Sequence, residues 1–258
     1  MLSTDKAFCR EIAALLAAHG VADAVLCPGS RNAPLIVAIS REPSIRAVTV
    51  IDERSAGFIA LGMASELGRP VALVCTSGSA VLNFAPAVAE AYYRQVPLIV
   101  ISADRPAEWI DQDDSQTIRQ IGVLSNIVKY SCNVPVERTE MALSPLGWYA
   151  NRTVNDALLT AAAQPAGPVH INVQLDVPLG GMVDCQPCNS RAISAVKPQG
   201  ELSQVQLDAF SGELKGKRVL IVAGFMPPNH QLSNALSRLA SLSNFAIMHE
   251  AQANVSIG

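Results

Sequence analysis

Short apolar runs alternate with longer amphipathic stretches over the first 175 residues. Residues 47–51, which read AVTVI, form a β-branched run typical of a strand buried on both faces of a sheet. Residues 55–67 form a helical stretch of small residues, and Gly68 is placed to end it. Similar apolar runs predict further strands at 24–27, 70–75, 98–102 and 169–173.

Helical patterns fill most of the intervals between these strands. We expect a first helix over 4–19 capped by Thr4, a second opened by Asn32, and others over 80–93 and 146–163. Strands that alternate with helices predict an α/β fold with a mostly parallel sheet. Ligands of such sheets bind at the carboxyl ends of the strands, so the turns after the strands are the candidate site.

The alternating pattern breaks after residue 175. Prolines and glycines are frequent as far as Gly200, which indicates an irregular linker. Two helical and two strand patterns follow, which are too few for a complete α/β domain. We therefore predict a first domain at 1–180, a linker at 181–200 and the start of a second domain at 201–258, within a longer protein.

Composition narrows the class of protein. Half of the 258 residues are hydrophobic, 16% are charged and the net charge is −3, so neither nucleic acid nor an acidic membrane is an expected partner. No apolar run approaches the roughly 18 residues of a membrane span, and early charged residues argue against a signal peptide. Six scattered cysteines favour a cytoplasmic protein over a disulfide framework.

Glu53 is the most informative polar residue of the sequence. It follows the strand predicted at 47–51 and precedes a helix, so its carboxylate is expected at the ligand edge of the sheet. A plainer interpretation is that an acid in this position stabilises the positive end of the helix dipole. The residues alone favour these two interpretations about equally.

Two other segments carry candidate ligand-binding side chains. Ser30 and Arg31 lie in a turn after a predicted strand, and an arginine there offers a fork of donors to a carboxylate. Arg105 and Gln116 lie in a long polar segment, 103–120, of a length that is usually functional. Either arginine is alternatively an ordinary surface residue or a helix-cap partner.

A third turn, 76–79, joins a strand to a helix through small residues. Such a turn is able to bind an anion at the helix start, or it simply allows tight packing of helix on sheet. Asn83, one helical turn further on, adds a possible polar contact. Cys185 and Cys188 have the spacing of a metal or redox pair, but no second pair accompanies them, so we expect no metal site.

Four motifs occur in order and together resemble one family. They are CPGSR at 27–31, DERSAGF at 52–58, TSGSA at 76–80 and SADRP at 102–106. The ordered set resembles the N-terminal half of the 2-succinyl-5-enolpyruvyl-6-hydroxy-3-cyclohexene-1-carboxylate synthase family, thiamine-diphosphate enzymes of menaquinone biosynthesis. The resemblance implies a pyrimidine-binding domain followed by an incomplete central domain.

The resemblance also implies roles for the candidate residues. Glu53 matches the family's catalytic glutamate, which hydrogen-bonds the pyrimidine ring of thiamine diphosphate and promotes its activation. Thr76, Gly78 and Asn83 match a turn that approaches the same ring. Substrate-binding positions of the family fall on Ser30, Arg31, Arg105 and Gln116. Ser115 stands where many relatives carry asparagine, so its contact with substrate is left open.

The activity implied for the complete enzyme is that of a transferase. It decarboxylates 2-oxoglutarate and adds the succinyl carbanion to isochorismate. The resemblance implies Mg²⁺, with ligands in a third domain outside this chain, and a homodimer or tetramer formed through the pyrimidine domain. Because the family shares each active site between subunits, we expect the 258 residues alone to be inactive. Two alternatives stay open: another thiamine-diphosphate carboligase such as an acetolactate synthase, and a non-catalytic α/β domain that binds a small molecule.

Overall fold

The chain folds as two compact units, Met1–Ala195 and Val196–Gly258. The computed structural model describes residues 2–137, 145–196 and 200–257. The boundary between the units lies inside the segment 181–200 that the sequence marks as a linker, of which 197–199 are outside the described residues.

The first unit is built on a six-stranded sheet. Its strands and helices follow in chain order: β1 (Leu2–Thr4), α1 (Ala7–Ala18), β2 (Asp23–Leu26), α2 (Ala33–Ser40), β3 (Arg46–Thr49), α3 (Glu53–Leu67), β4 (Val71–Cys75), α4 (Ala80–Asn83), α5 (Ala85–Tyr93), β5 (Leu98–Asp104), β6 (Tyr130–Val134), α6 (Pro145–Ala162), β7 (Val169–Gln174) and β8 (Met182–Asp184).

The strands of the sheet are ordered β3-β2-β4-β5-β7-β6, and every neighbouring pair is parallel. β1 and β8 form a separate antiparallel ribbon. The predicted α/β fold with a mostly parallel sheet is therefore confirmed. Because all six strands run the same way, the turns after them gather at one edge.

Two hydrophobic clusters, one on each face of the sheet, form the core. One cluster joins the sheet to α1, α2 and α6, and the other joins it to α3, α4 and α5. The central strands β4 and β5 are buried along their whole length, as continuous apolar runs predict. The resulting rigid scaffold holds the turns at the carboxyl edge.

The prediction of a doubly buried strand before Glu53 is wrong. β3 is exposed along Arg46–Thr49, and the Ile51 side chain just after it is 82% exposed. The reason is strand order, since β3 lies at an edge of the sheet and pairs only with β2. Apolar character of a run does not reveal which strand occupies the edge.

Helix starts also differ from expectation in places. Thr4 belongs to β1, and α1 begins after Lys6, so Thr4 is not the cap. Asn32 precedes α2 but its side chain donates to the Cys27 carbonyl oxygen at 2.8 Å instead of capping. Gly68, with φ +61°, ends α3 in the left-handed conformation that only glycine adopts without strain, as predicted.

The second unit contains a short parallel sheet. Its elements are α7 (Gln204–Leu214), β9 (Val219–Ala223), α8 (His230–Ala240) and β10 (Phe245–His249). β9 pairs with β10, and a small core forms around Ala223 and Leu236. Across both units, no described helix is long and apolar enough to cross a membrane.

Candidate functional site

Glu53 is the first residue of α3 and lies at the carboxyl edge of the sheet. The helix starts here because the preceding Asp52 side chain accepts a hydrogen bond from the Ser55 amide at 2.7 Å, which satisfies an otherwise unpaired N–H group. Glu53 itself is half-buried, and its carboxylate has no hydrogen bond or ion pair within the described residues. The cap is thus made by Asp52, which leaves the Glu53 carboxylate available to a ligand.

Two buried thiols show where the Glu53 carboxylate lies. Burial raises the pKa of the Cys27 thiol to about 12, and the negative charges of Glu53 and Asp52 add to the shift. The pKa of Cys75 is likewise raised well above its ordinary value by burial, with further contributions from Cys27 and Glu53. Glu53 therefore stands near the ends of both β2 and β4.

The turns after β2 and β4 approach each other closely. A Cβ atom on Gly29 would lie 2.4 Å from the Thr76 Cβ, so only glycine fits there without a shift of the backbone. Thr76 is buried. The two motifs of small residues are thus explained by one packing contact beside Glu53, and ligand contact is not needed to account for Gly29.

Gly78 lies in the turn after β4 with φ +81°. A Cβ there would lie 2.7 Å from the Gln116 main-chain oxygen, so the site requires glycine for close approach as well as for conformation. Its N–H donates to Gln120 Oε1 at 2.9 Å, so this amide is not free to bind an anion. Asn83 is exposed, and its side chain donates at 3.0 Å to the carbonyl oxygen of Ser79, the residue that precedes its helix.

Arg31 and Arg105 line one cavity of about 500 Å³ at the same edge. Arg31 is buried and donates to the Leu175 carbonyl oxygen at 2.8 Å, while its Nε has no partner within the described residues. Arg105 is also buried and forms an ion pair with Asp114. The remaining lining residues are Pro106, Trp109, Asp114, Asp176 and Val177.

The other two predicted substrate residues lie elsewhere. Ser30 is exposed in the turn after β2 and does not line the cavity. Gln116 donates from Nε2 to the Ser77 carbonyl oxygen at 3.1 Å, which joins it to the Gly78 turn. The Ser115 carbonyl accepts from Arg105 Nη2 at 2.6 Å, so the main chain of Ser115 orients that arginine.

A buried polar network, which was not predicted from the sequence, runs beneath the site. Asn172 on β7 is its centre: its Oδ1 accepts from Ser102 Oγ at 3.0 Å and from Gln120 Nε2 at 2.8 Å. Its Nδ2 donates to Asp104 Oδ2 at 2.8 Å. The sequence does contain a signal for this network, because polar residues at 102, 104, 170 and 172 interrupt apolar strands and buried polar groups need hydrogen-bond partners.

Two members of this region have shifted pKa values. Burial raises the pKa of the Asp104 carboxyl, while hydrogen bonds from Asn172 and from the Arg105 main chain act in the opposite direction. Burial lowers the pKa of His170 to about 4. His170 accordingly is neutral at pH 7 and serves as a hydrogen-bond partner of Ser102, with Nε2 2.7 Å from Ser102 Oγ.

Metal ligands are not grouped in the described parts of the chain. Within residues 2–137, 145–196 and 200–257, no cluster of three or more His, Cys, Asp or Glu side chains is able to hold an ion. Cys185 is partly buried, and the exposed Cys188 lies 3.2 Å from Ser190 Oγ. Cys9, Cys27, Cys75, Cys132 and Cys188 are free thiols.

Comparison with known sequences identifies the class of protein. Residues 8–123 match the family described as "Thiamine pyrophosphate enzyme, N-terminal TPP binding domain". This match covers β2 to β5, the strands whose carboxyl ends carry Glu53, Gly78 and Arg105. Residues 8–123 therefore form an N-terminal domain of the thiamine pyrophosphate enzyme type.

Within this class the chain is similar to the N-terminal part of named synthases, and the resemblance drawn from the motifs is confirmed. It is 46% identical over 237 residues, 92% of the chain, to 2-succinyl-5-enolpyruvyl-6-hydroxy-3-cyclohexene-1-carboxylate synthase of Porphyromonas gingivalis. The identity to the synthase of the same name from Bacteroides thetaiotaomicron is 51% over 176 residues, 68% of the chain. For Desulfotalea psychrophila it is 42% over 240 residues, again 92% of the chain. The chain spans 41%, 31% and 44% of the length of these relatives.

Proposed function

We propose that this chain supplies the pyrimidine-binding side of the active site in a thiamine-diphosphate-dependent transferase. The complete enzyme decarboxylates 2-oxoglutarate and adds the succinyl unit to isochorismate, which gives the product for which its relatives are named. The observation that carries the proposal is the Glu53 carboxylate, half-buried at the ligand edge and without a partner among the described residues.

The residues around Glu53 fit an aminopyrimidine ring. A carboxyl group shares a proton with a ring nitrogen through a short hydrogen bond, and the apolar surroundings of Cys27 and Cys75 strengthen such a bond by excluding water. Thiamine diphosphate supplies the electron sink that decarboxylation of a 2-oxo acid requires. The part of this chain is to orient the ring through Glu53 and the Thr76–Gly78 turn and to hold the shared proton.

Arg31 and Arg105 are the proposed carboxylate-binding residues. Both proposed substrates are dicarboxylates, and guanidinium groups pair with carboxylates through two parallel hydrogen bonds. The cavity of about 500 Å³ is large enough for a small organic acid. The Nε of Arg31 is buried without a hydrogen-bond partner among the described residues, and such an unpaired donor favours an acceptor supplied by a ligand. For Ser30 and Gln116, family resemblance remains the support for substrate contact.

The remaining parts of the proposal concern the complete enzyme. We propose that Mg²⁺ and the diphosphate are held by a different domain, and that the enzyme is a cytoplasmic homodimer or tetramer. Self-association is supported by exposed apolar side chains on and beside β3 and α3, namely Val48, Ile51, Phe58 and Ile59. The free thiols of Cys9, Cys27, Cys75, Cys132 and Cys188 support a cytoplasmic location.

Glu53→Gln in the complete enzyme tests the proposal. The amide keeps the size of the side chain but removes the proton that the ring nitrogen shares, so we expect turnover to fall by at least about 100-fold. Glu66→Gln is the matched control, because Glu66 lies exposed on the same helix and its loss should leave turnover unchanged. Near-normal turnover of Glu53→Gln would favour a non-catalytic binding domain.

Substrate preference separates the two enzymatic alternatives. We expect the complete enzyme to consume 2-oxoglutarate together with isochorismate, whereas pyruvate as donor and acceptor would indicate an acetolactate synthase. The 258-residue chain alone is expected to show no turnover, since the proposed site needs a second domain. Cofactor-dependent product formation by the chain alone would contradict this.

A further inference from the structure

Gln120 has an unusual environment for a polar residue in a connecting segment. Its side chain is 1% exposed, and all of its polar atoms are engaged. Oε1 accepts from the Gly78 N–H at 2.9 Å, and Nε2 donates to the Ala103 carbonyl oxygen and to Asn172 Oδ1, both at 2.8 Å. Since the two Nε2 partners are both acceptors, the orientation of the amide is fixed.

The Gly78 turn depends on this amide. Glycine has the widest conformational freedom of all residues, and Gly78 at φ +81° has no side chain to hold it in place. Its N–H is buried, so loss of the Gln120 acceptor leaves an unpaired donor beneath the turn. Gln116 holds the neighbouring Ser77 carbonyl oxygen, but it provides no acceptor for the Gly78 N–H.

The other end of Gln120 is anchored to the rigid centre of the sheet. Ala103 belongs to the buried strand β5, and Asn172 belongs to the buried strand β7. Asn172 in turn donates to Asp104, whose Oδ1 accepts from the Arg105 N–H at 2.8 Å. One amide therefore connects the Gly78 turn to the strand end that carries the cavity arginine.

We infer that Gln120 is a positioning residue that fixes the Gly78 turn in the shape that binds the pyrimidine ring. This inference rests on the proposed function, because it takes the Gly78 turn as part of the cofactor site. Gln120 does not touch the ligand. It acts through the hydrogen bond that its Oε1 accepts from the Gly78 N–H, whereas the hydrogen bonds to Ala103 and Asn172 contribute mainly to stability.

Two variants of Gln120 in the complete enzyme test the inference. Gln120→Met keeps the volume and removes every hydrogen bond, so we expect the Kd for thiamine diphosphate to rise about tenfold. Gln120→Glu keeps an acceptor for the Gly78 N–H but loses the two donors toward the sheet. We expect it to lower the melting temperature more than Gln120→Met while its Kd stays within about threefold of wild type. Kd is measured by calorimetric titration with the cofactor and Mg²⁺, and stability by thermal unfolding.

Asn155 provides the control for lost stability alone. It is a fully buried amide on α6, in the other helical layer, and its Oδ1 accepts from the Ile193 amide at 2.7 Å. Asn155→Leu should lower the melting temperature without changing the Kd. If Kd follows melting temperature across all three variants, or if Gln120→Met binds like wild type, the inference is overturned. If wild-type enzyme itself fails to bind thiamine diphosphate, the proposed function is overturned as well.

Discussion

Acidification is expected to destabilise the first unit through His170. The imidazole is fully buried on β7, and its Nδ1 has no hydrogen-bond partner among the described residues. Burial lowers the pKa from its ordinary 6.5 to about 4, because a positive charge there loses its hydration without gaining a counter-ion. A proton taken up by this ring therefore favours the unfolded chain.

The direction and size of this effect on the free energy of unfolding follow from the pKa of His170 in the unfolded chain and in the folded protein. Between about pH 6.5 and 4 the unfolded chain binds a proton at this histidine and the folded protein does not, so the free energy of unfolding falls as pH falls. The contribution of neutral His170 to the free energy of unfolding is fully present above pH 6.5 and is lost by about pH 4. The difference of about 2.5 between the two pKa values, at about 1.4 kcal/mol per pKa unit, gives roughly 3 to 4 kcal/mol.

Urea unfolding followed by tryptophan fluorescence is the assay. Both tryptophans, Trp109 and Trp148, lie in the first unit, so the signal reports on the unit that contains His170. His170→Gln removes the titrating group while keeping a polar partner for Ser102. It should flatten the dependence of the free energy of unfolding on pH between about pH 4 and 6.5.

The exposed His249 supplies the control variant, since His249→Gln should leave the slope of the free energy of unfolding against pH unchanged. Asp104 has a raised pKa and acts in the opposite direction, because the folded protein holds its proton more tightly. The difference between wild type and His170→Gln therefore isolates the histidine. Parallel stability curves for these two proteins across the whole range would refute the reasoning.

Two further substitutions test the packing that places the site. Gly29→Ala should destabilise the first unit by about 1–3 kcal/mol, measured by urea unfolding, because the new methyl group would overlap Thr76 and force the two ligand-edge turns apart. Asp23→Asn should cost about 1–3 kcal/mol in the same assay, because the buried Asp23 carboxylate forms ion pairs with Arg46 and Arg69 that hold the β2 and β3 strands and the start of β4 together.

Each of these substitutions has a matched control. Gly62→Ala, in the middle of α3, meets no atom within 4 Å, and it should stabilise the helix by up to about 1 kcal/mol. Glu90→Gln removes an exposed ion pair with Arg94, which should change stability by less than about 1 kcal/mol. The Gly29–Thr76 contact is unimportant if Gly29→Ala proves as stable as Gly62→Ala. The ion pairs of Asp23 are unimportant if Asp23→Asn proves as stable as Glu90→Gln.

Local sequence determined most of the elements. The apolar runs of β4 and β5 and the glycine that ends α3 are determined by residues within one or two turns, so the pattern alone predicted them. The alternation of strand and helix then predicted a parallel sheet, and with it the edge where Glu53 and Arg31 lie. The order of the four motifs indicated the family, and the sequence comparison confirmed that resemblance.

Only the tertiary structure decided which of these residues meet. Strand order placed β3 at an exposed edge, although its sequence reads as a buried run. Gln116 and Gln120 reach the Gly78 turn from about 40 residues away in the chain, and Ser102 meets His170 across 68 residues. Local conformational preferences act between near neighbours, whereas a buried hydrogen bond needs a partner whose position follows from the pairing of whole strands. Sequence therefore defined the turns of this site, and the sheet decided what each turn contacts.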